Sequence, residues 1–282
     1  MNQIKKPLTL IATLGISLVL TACGGGSSTT ESTASTLPLA KIDASNQEAV
    51  TAALFDSVDI TTPRLPVADA AADESSLLAK VLPNATATAS VSDGEAVNCT
   101  QGGTLTSSLL DNISVITYEG CKESNTTVNG EIKISYDNTA KEITYTLSDY
   151  SLVSGHESYT TPSTVYKVSA ASVSYTTTGK VVSGETTTEF DNYRYSLNLV
   201  ENKVAISIDG YVKPQSLENW IALKTNNVMQ VAEDTCPLSG NLEAQGDTSK
   251  LGVTFANDKS VDVMLNGTLA QEYENCEGLP QG

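Results

Sequence analysis

One histidine, one tryptophan and three phenylalanines are all that this chain of 282 residues carries of those types. A zinc peptidase of the H-E-x-x-H kind needs two histidines. His156-Glu157 begins that pattern, but Thr160 stands where the second would be. A Ser-His-Asp mechanism would have to be built on His156, and no G-x-S-x-G elbow accompanies it. Residues 154–158 are polar and read as an exposed loop. Acidic residues are plentiful enough to supply carboxylate pairs. Glycosidase clefts, however, usually join such pairs to several aromatics, and Trp220 lies in an apolar run that reads as core. The chain also lacks a P-loop, a G-x-G-x-x-G in strand-to-helix context and a D-x-[DN]-x-[DN]-G calcium loop. The sequence therefore predicts no enzyme, no metal and no cofactor.

Positive charge is scarce. Sixteen Lys and Arg stand against 33 Asp and Glu, a formal net charge of −17. Such a surface repels nucleic acid and anionic headgroups. It suits an exported domain held at a membrane by something other than basic side chains.

No apolar run is long enough to span a bilayer, which takes roughly 20 residues. Residues 7–20 are apolar, follow Lys5 and Lys6, and lead into small residues. That order predicts a processed signal peptide. The stretch Leu20-Thr21-Ala22-Cys23 resembles the lipobox of bacterial lipoproteins at every position. The resemblance implies that residues 1–22 are removed, that the Cys23 thiol takes a diacylglycerol, and that its freed amine is acylated, as with palmitate. Two or more chains, at about 0.8 kcal/mol per buried methylene, hold a protein firmly on a membrane. Gly24, in place of the Asp that would retain such a protein at the inner membrane, implies delivery to the bacterial outer membrane.

Four further cysteines are Cys99, Cys121, Cys236 and Cys276. An even count in an exported chain predicts two disulfides, with three connectivities open. Cys99–Cys121 and Cys236–Cys276 are favoured, because each closes a local hairpin-sized unit. The C-x-x-C or Cys/His spacing of a zinc site is missing.

Residues 23–44 read as a Gly/Ser/Thr tether. Residues 45–95 read as a helical lead-in. Ser45 and Glu48 are spaced as a capping box ahead of Val50, Ala53, Leu54 and Val58. A second helix is expected near residues 68–81, stopped by Pro83. This lead-in is loosely similar to that of uncharacterised proteobacterial lipoproteins.

Residues 96–282 switch to period two. Ile132-Ile134-Tyr136, Ile143-Tyr145-Leu147, Tyr193-Tyr195-Leu197-Leu199, Val204-Ile206-Ile208 and Val261-Val263-Leu265 alternate with polar residues. Asp137-Asn138, Gly179-Lys180, Glu201-Asn202 and Asn257-Asp258 read as turns. About ten strands with short links predict a mainly β fold: an antiparallel meander, as a sandwich or a strongly curved sheet, with one or two N-terminal helices packed on it. Cys99-x-x-x-Gly103-x-Leu105 and Cys236-x-x-x-Gly240-x-Leu242 hint at two related units. Eleven tyrosines, many on these strands, read as half-buried sheet residues with wet hydroxyls, or else as a ligand face.

The function expected from the sequence is a lipid-anchored, non-catalytic envelope, adhesive or ligand-binding domain. It touches the membrane through Cys23, takes no nucleic acid, and has a protein or glycan partner that the sequence leaves open. A lipid-anchored hydrolase of polysaccharide or peptide and a structural subunit of an outer-membrane complex are the alternatives.

Overall fold

A computed structural model describes residues 37–58, 94–200, 203–231 and 237–280. Fourteen strands follow one another in sequence order in a single antiparallel sheet. They are β1 (Ala96–Asn98), β2 (Thr104–Leu110), β3 (Ile113–Glu123), β4 (Thr126–Asp137), β5 (Glu142–Ser154), β6 (Glu157–Val168) and β7 (Ser172–Ser183). Then come β8 (Thr186–Val200), β9 (Lys203–Pro214), β10 (Ile221–Val231), β11 (Ser239–Gln245), β12 (Lys250–Phe255), β13 (Val261–Leu265) and β14 (Thr268–Tyr273). The sheet does not close into a barrel. It is the expected antiparallel meander, with more strands than the alternation revealed.

A flat sheet of this many strands would be about 60 Å wide at the usual spacing. Yet one continuous core joins buried residues from β2 through β13. The sheet is therefore curved around its own apolar face. The single described helix, α1 (Gln47–Val58), fills part of the concavity against β9, β11 and β12. Val50, Ala53 and Leu54 are buried there, and Phe55 meets Phe255 edge-on with centroids 5.7 Å apart. The expected second helix lies outside the described residues.

The start of α1 differs from the expected capping box. Ser45 donates its backbone N–H and its hydroxyl to Asp43 Oδ1, at 2.9 and 2.5 Å. Asn46 Oδ1 accepts the Asp43 N–H at 2.9 Å. The turn thus closes on Asp43, two residues upstream of the motif read from the sequence, because the Asp carboxylate is the stronger acceptor.

Curvature comes from bulges aligned across the middle of the sheet. Register breaks fall between Tyr118 and Cys121, Asn129 and Glu131, Thr160 and Ser163, Thr177 and Gly179, Asp191 and Arg194, and Lys224 and Met229. Asp149 and Asn192 take left-handed φ values of 45° and 46° at this line. Each bends its strand and pushes its carbonyl toward a glycine next door. Gly130, φ 103°, faces Asp149, and Gly210, φ 117°, faces Asn192. A Cβ at Gly130 would sit 2.5 Å from the Asp149 oxygen. Gly179 belongs to this line too. It lies inside β7, pressed against Thr160, and is not the turn read from the sequence. The turn after β7 is at Gly184 instead.

The paired motifs share this device. Gly103 abuts Gly120 of β3, and Gly240 abuts Met229 of β10, while Leu105 and Leu242 are buried. Their partners lie downstream in one case and upstream in the other. The strand order is also continuous, so the motifs mark a common local bend in a single sheet.

Candidate functional site

The concave face carries the chemistry-bearing side chains. Cross-strand registry sets Ile134, Tyr145, Tyr166, Tyr175, Tyr195 and Ile208 in one row over β4–β9. Ring centroids along it are 6.1, 6.2 and 5.2 Å apart, within aromatic contact. The next row is Ile116, Ile132, Leu147, Thr164, Thr177 and Tyr193. Both rows point inward because residues two apart on a strand share a face.

Most of these rings are buried, so the tyrosines build the core and do not form an open platform. The sequence had suggested wet hydroxyls, but not every one is wet. The Tyr159 hydroxyl bonds with Thr164, and with Thr177 at 2.9 Å. Thr161 bonds with Thr164 at 3.0 Å and donates to the Thr178 carbonyl at 2.6 Å. Thr164 and Thr177 are 2.6 Å apart. These threonines supply the partners that water would supply on an open sheet. Tyr118 and Tyr150 differ: they are 3% and 1% exposed, and neither hydroxyl has a described partner. Burial pushes the Tyr118 phenol up to about 12 and raises Tyr150 further.

The convex face is polar. Arg194, Asp209, Lys224 and Glu243 alternate in sign in adjacent register over β8–β11. Partial burial raises the Asp209 carboxyl despite the cations beside it. Thr144, Thr146, Ser174 and Thr176 continue the polar surface on β5 and β7. An outer-membrane barrel carries an apolar band on this side.

Turns after odd-numbered strands gather at one end of the sheet, and turns after even-numbered strands at the other. The first end holds the Cys99–Cys121 disulfide, with Cα atoms 5.4 Å apart, as the sequence predicted. Glu123 beside it accepts from the Thr100 N–H at 2.8 Å and the Thr100 hydroxyl at 2.6 Å. Cys99, Cys121 and Glu123 are close enough to suggest a metal set. Bonded sulfurs, however, offer no thiolate. Cys276 is also disulfide-bonded; Cys236, its expected partner, lies outside the described residues, as does Cys23. His156 is exposed in the β5–β6 turn of the same end, and its carbonyl accepts the Gly184 N–H at 3.2 Å.

Trp220 has a role that the sequence reading missed. It is half-buried, and its backbone pairs in parallel with Leu39. Ala40 N–H donates to the Trp220 carbonyl at 2.7 Å, and Trp220 N–H donates to Pro38 at 3.1 Å. Asp247 N–H donates to the Ala40 carbonyl at 2.9 Å, and Ile42 N–H to Ser249 Oγ at 2.7 Å. The segment leading to α1 is thus fastened at the disulfide end. Only an unremarkable Pro-Leu-Ala stretch encodes it.

At the opposite end several apolar side chains face solvent: Leu109, Leu110 and Ile113 around the β2–β3 turn, Tyr136 at the end of β4, and Leu199 near the end of β8. Comparison of the chain with protein-family models, with curated proteins and with solved structures found no match.

Proposed function

We propose that this protein is a lipoprotein of the bacterial outer membrane, anchored through lipid on Cys23, whose β domain acts without catalysis in an envelope, adhesive or ligand-binding role. The Cys99–Cys121 disulfide is the observation that carries the reading. Structural disulfides persist in oxidising compartments and are rare in the cytosol. It agrees with the lipobox resemblance at Leu20-Thr21-Ala22-Cys23 and with a chain whose acids outnumber its bases two to one. Because the tyrosine rows are packed, a ligand of this domain meets the convex face, the β14 edge or the turns. A second reading, a structural subunit of an outer-membrane complex, draws on the exposed Leu110, Ile113, Tyr136 and Leu199 at one end of the sheet.

Palmitate labelling of the wild type against Cys23→Ser, with membrane fractionation, tests the anchor. Label and outer-membrane recovery should both be lost in the variant. Equal labelling of the two proteins overturns the proposal.

A further inference from the structure

The meander ends on an open edge. Thr268 to Glu272 of β14 are all exposed, and no described residue bonds to the backbone groups that point away from β13. The other edge is blunted: β1 has three residues and runs directly into the disulfide at Cys99. We propose that β14 takes up an extended segment of another protein as a further strand, and that this segment sets a lysine or arginine beside Glu272. The inference rests on the binding role proposed above and is independent of the lipid anchor.

Charge says which segment fits. Two pairs of carboxylates face each other in register: Asp137 with Glu142 on β4–β5, and Asp262 with Glu272 on β13–β14. Like charges so placed repel. The first pair is compensated from the next strand, where Lys167 of β6 meets Glu142 at 3.0 Å. Glu189 and Glu243 are likewise matched by Lys213 and Lys250 of a neighbouring strand. Asp262 and Glu272 have no ion pair among the described residues. No following strand brings them a cation, because β14 ends the sheet. An added strand with a basic side chain stands to Glu272 as β6 stands to Glu142. The convex row of Lys224 and Glu243 also runs on through Gly252 and Met264 to the exposed Leu269. Asp262 lies two residues from Met264, so Leu269 and Glu272 present an apolar and an acidic contact on one face. A strand with an apolar and a basic side chain on that face fits both, while its backbone supplies the ladder bonds. A second copy of this chain fits poorly. The net charge is −17, and β14 set against β14 adds another Glu272 and no cation.

The test uses the full chain and two short fluorescein-labelled peptides, one alternating valine with lysine and one alternating valine with glutamate. Anisotropy should show the lysine peptide bound and the glutamate peptide free. Amide exchange in β14 should slow when the lysine peptide binds. Glu272→Lys should weaken that peptide about tenfold. By ending the repulsion from Asp262, it should leave the free protein at least as stable in urea. Glu185→Lys, in the exposed β7–β8 turn, makes the same change in net charge and should leave binding unaltered. Equal loss in the two variants means attraction to overall charge and overturns the site. Binding without slowed exchange in β14 overturns the strand addition and leaves the domain a binding role elsewhere. A lysine peptide that does not bind overturns the proposal outright. Cleavage of the peptide, seen by mass spectrometry, overturns the non-catalytic reading and this inference with it.

Discussion

The Asp149 carbonyl oxygen of β5 occupies the space that a side chain at position 130 of β4 would need. Gly130 is therefore fixed by contact as well as by its φ of 103°. Gly155 separates the two effects: its φ is 60°, but nothing lies within 4 Å of its would-be Cβ. Gly130→Ala should cost about 3 kcal/mol, from strained backbone plus overpacking, and Gly155→Ala about 1 kcal/mol. Urea unfolding midpoints would measure both. Equal costs would mean that the bulge line tolerates movement and does not set the curvature.

The two kinds of buried tyrosine should respond oppositely to loss of the hydroxyl. Tyr159→Phe removes a group bonded to Thr164 and Thr177 and should destabilise by about 1–2 kcal/mol. Tyr150→Phe removes a hydroxyl with no described partner and should be neutral or stabilising by up to about 1 kcal/mol. Thermal unfolding distinguishes them. A clear loss of stability in Tyr150→Phe would show that its hydroxyl has a partner in solution.

Alkaline pH should unfold the domain through the same rings. Tyr118 ionises at about 12 in the folded chain, against about 10 when unfolded. Its folded form holds the proton more tightly, so the contribution is complete below pH 10. It is lost as pH rises from 10 to 12 and amounts to about 3 kcal/mol for this residue. Burial raises Tyr150, Tyr175 and Tyr193 in the same sense. Tyrosinate absorbance should rise late and cooperatively, together with loss of sheet signal. A gradual rise centred near pH 10 would contradict the burial of these rings.

The disulfide closes a loop between residues 22 apart. Replacing both Cys99 and Cys121 by Ser should cost about 3 kcal/mol on the loop-entropy model. Non-reducing peptide mapping should recover Cys99 with Cys121 and Cys276 with Cys236. A fragment linking Cys99 to Cys276 would contradict both pairings.

Period two was legible wherever a strand runs without a break, as in Ile143-Tyr145-Leu147. It was lost at the bulges. In β5 the buried set passes from Leu147 to Tyr150 and Leu152, so the inward face changes parity at Asp149. In β6 it passes from Tyr159 and Thr161 to Thr164 and Tyr166, across Pro162. Each strand then reads as a short strand followed by noise, which accounts for the undercount. β6 and β7 also bury Thr161, Thr164 and Thr177, which carry no apolar signal; their hydroxyls are satisfied by one another, by Tyr159 and by the Thr178 carbonyl. Gly179 looked like a turn for a related reason: glycine marks a close approach as readily as a reversal. Of the candidate site, the tyrosine-bearing strands and the local Cys99–Cys121 pair could be read in advance. The fastening of residues 37–42 at Trp220 could not, because it depends on backbone groups with no side-chain pattern.

The widest of the bulges has its own repair. Between Lys224 and Met229 the β10 backbone leaves β9, and Ile208 loses its ladder partner. Thr225 takes over with its side chain: Oγ1 accepts the Ile208 N–H at 2.7 Å and donates to the Ile208 carbonyl at 2.8 Å. Ile208 is fully buried, so water cannot replace either bond. Thr225→Val keeps the shape and strands both backbone groups, at a cost of about 2–4 kcal/mol. Thr225→Ser keeps the hydroxyl and should recover most of that loss. Hydrogen exchange at the Ile208 amide gives a local reading: fast in the Val variant, slow in the wild type and the Ser variant. Slow exchange in all three would mean that the β9 backbone finds another partner across the bulge, and that the Thr225 hydroxyl does not hold the two strands together there.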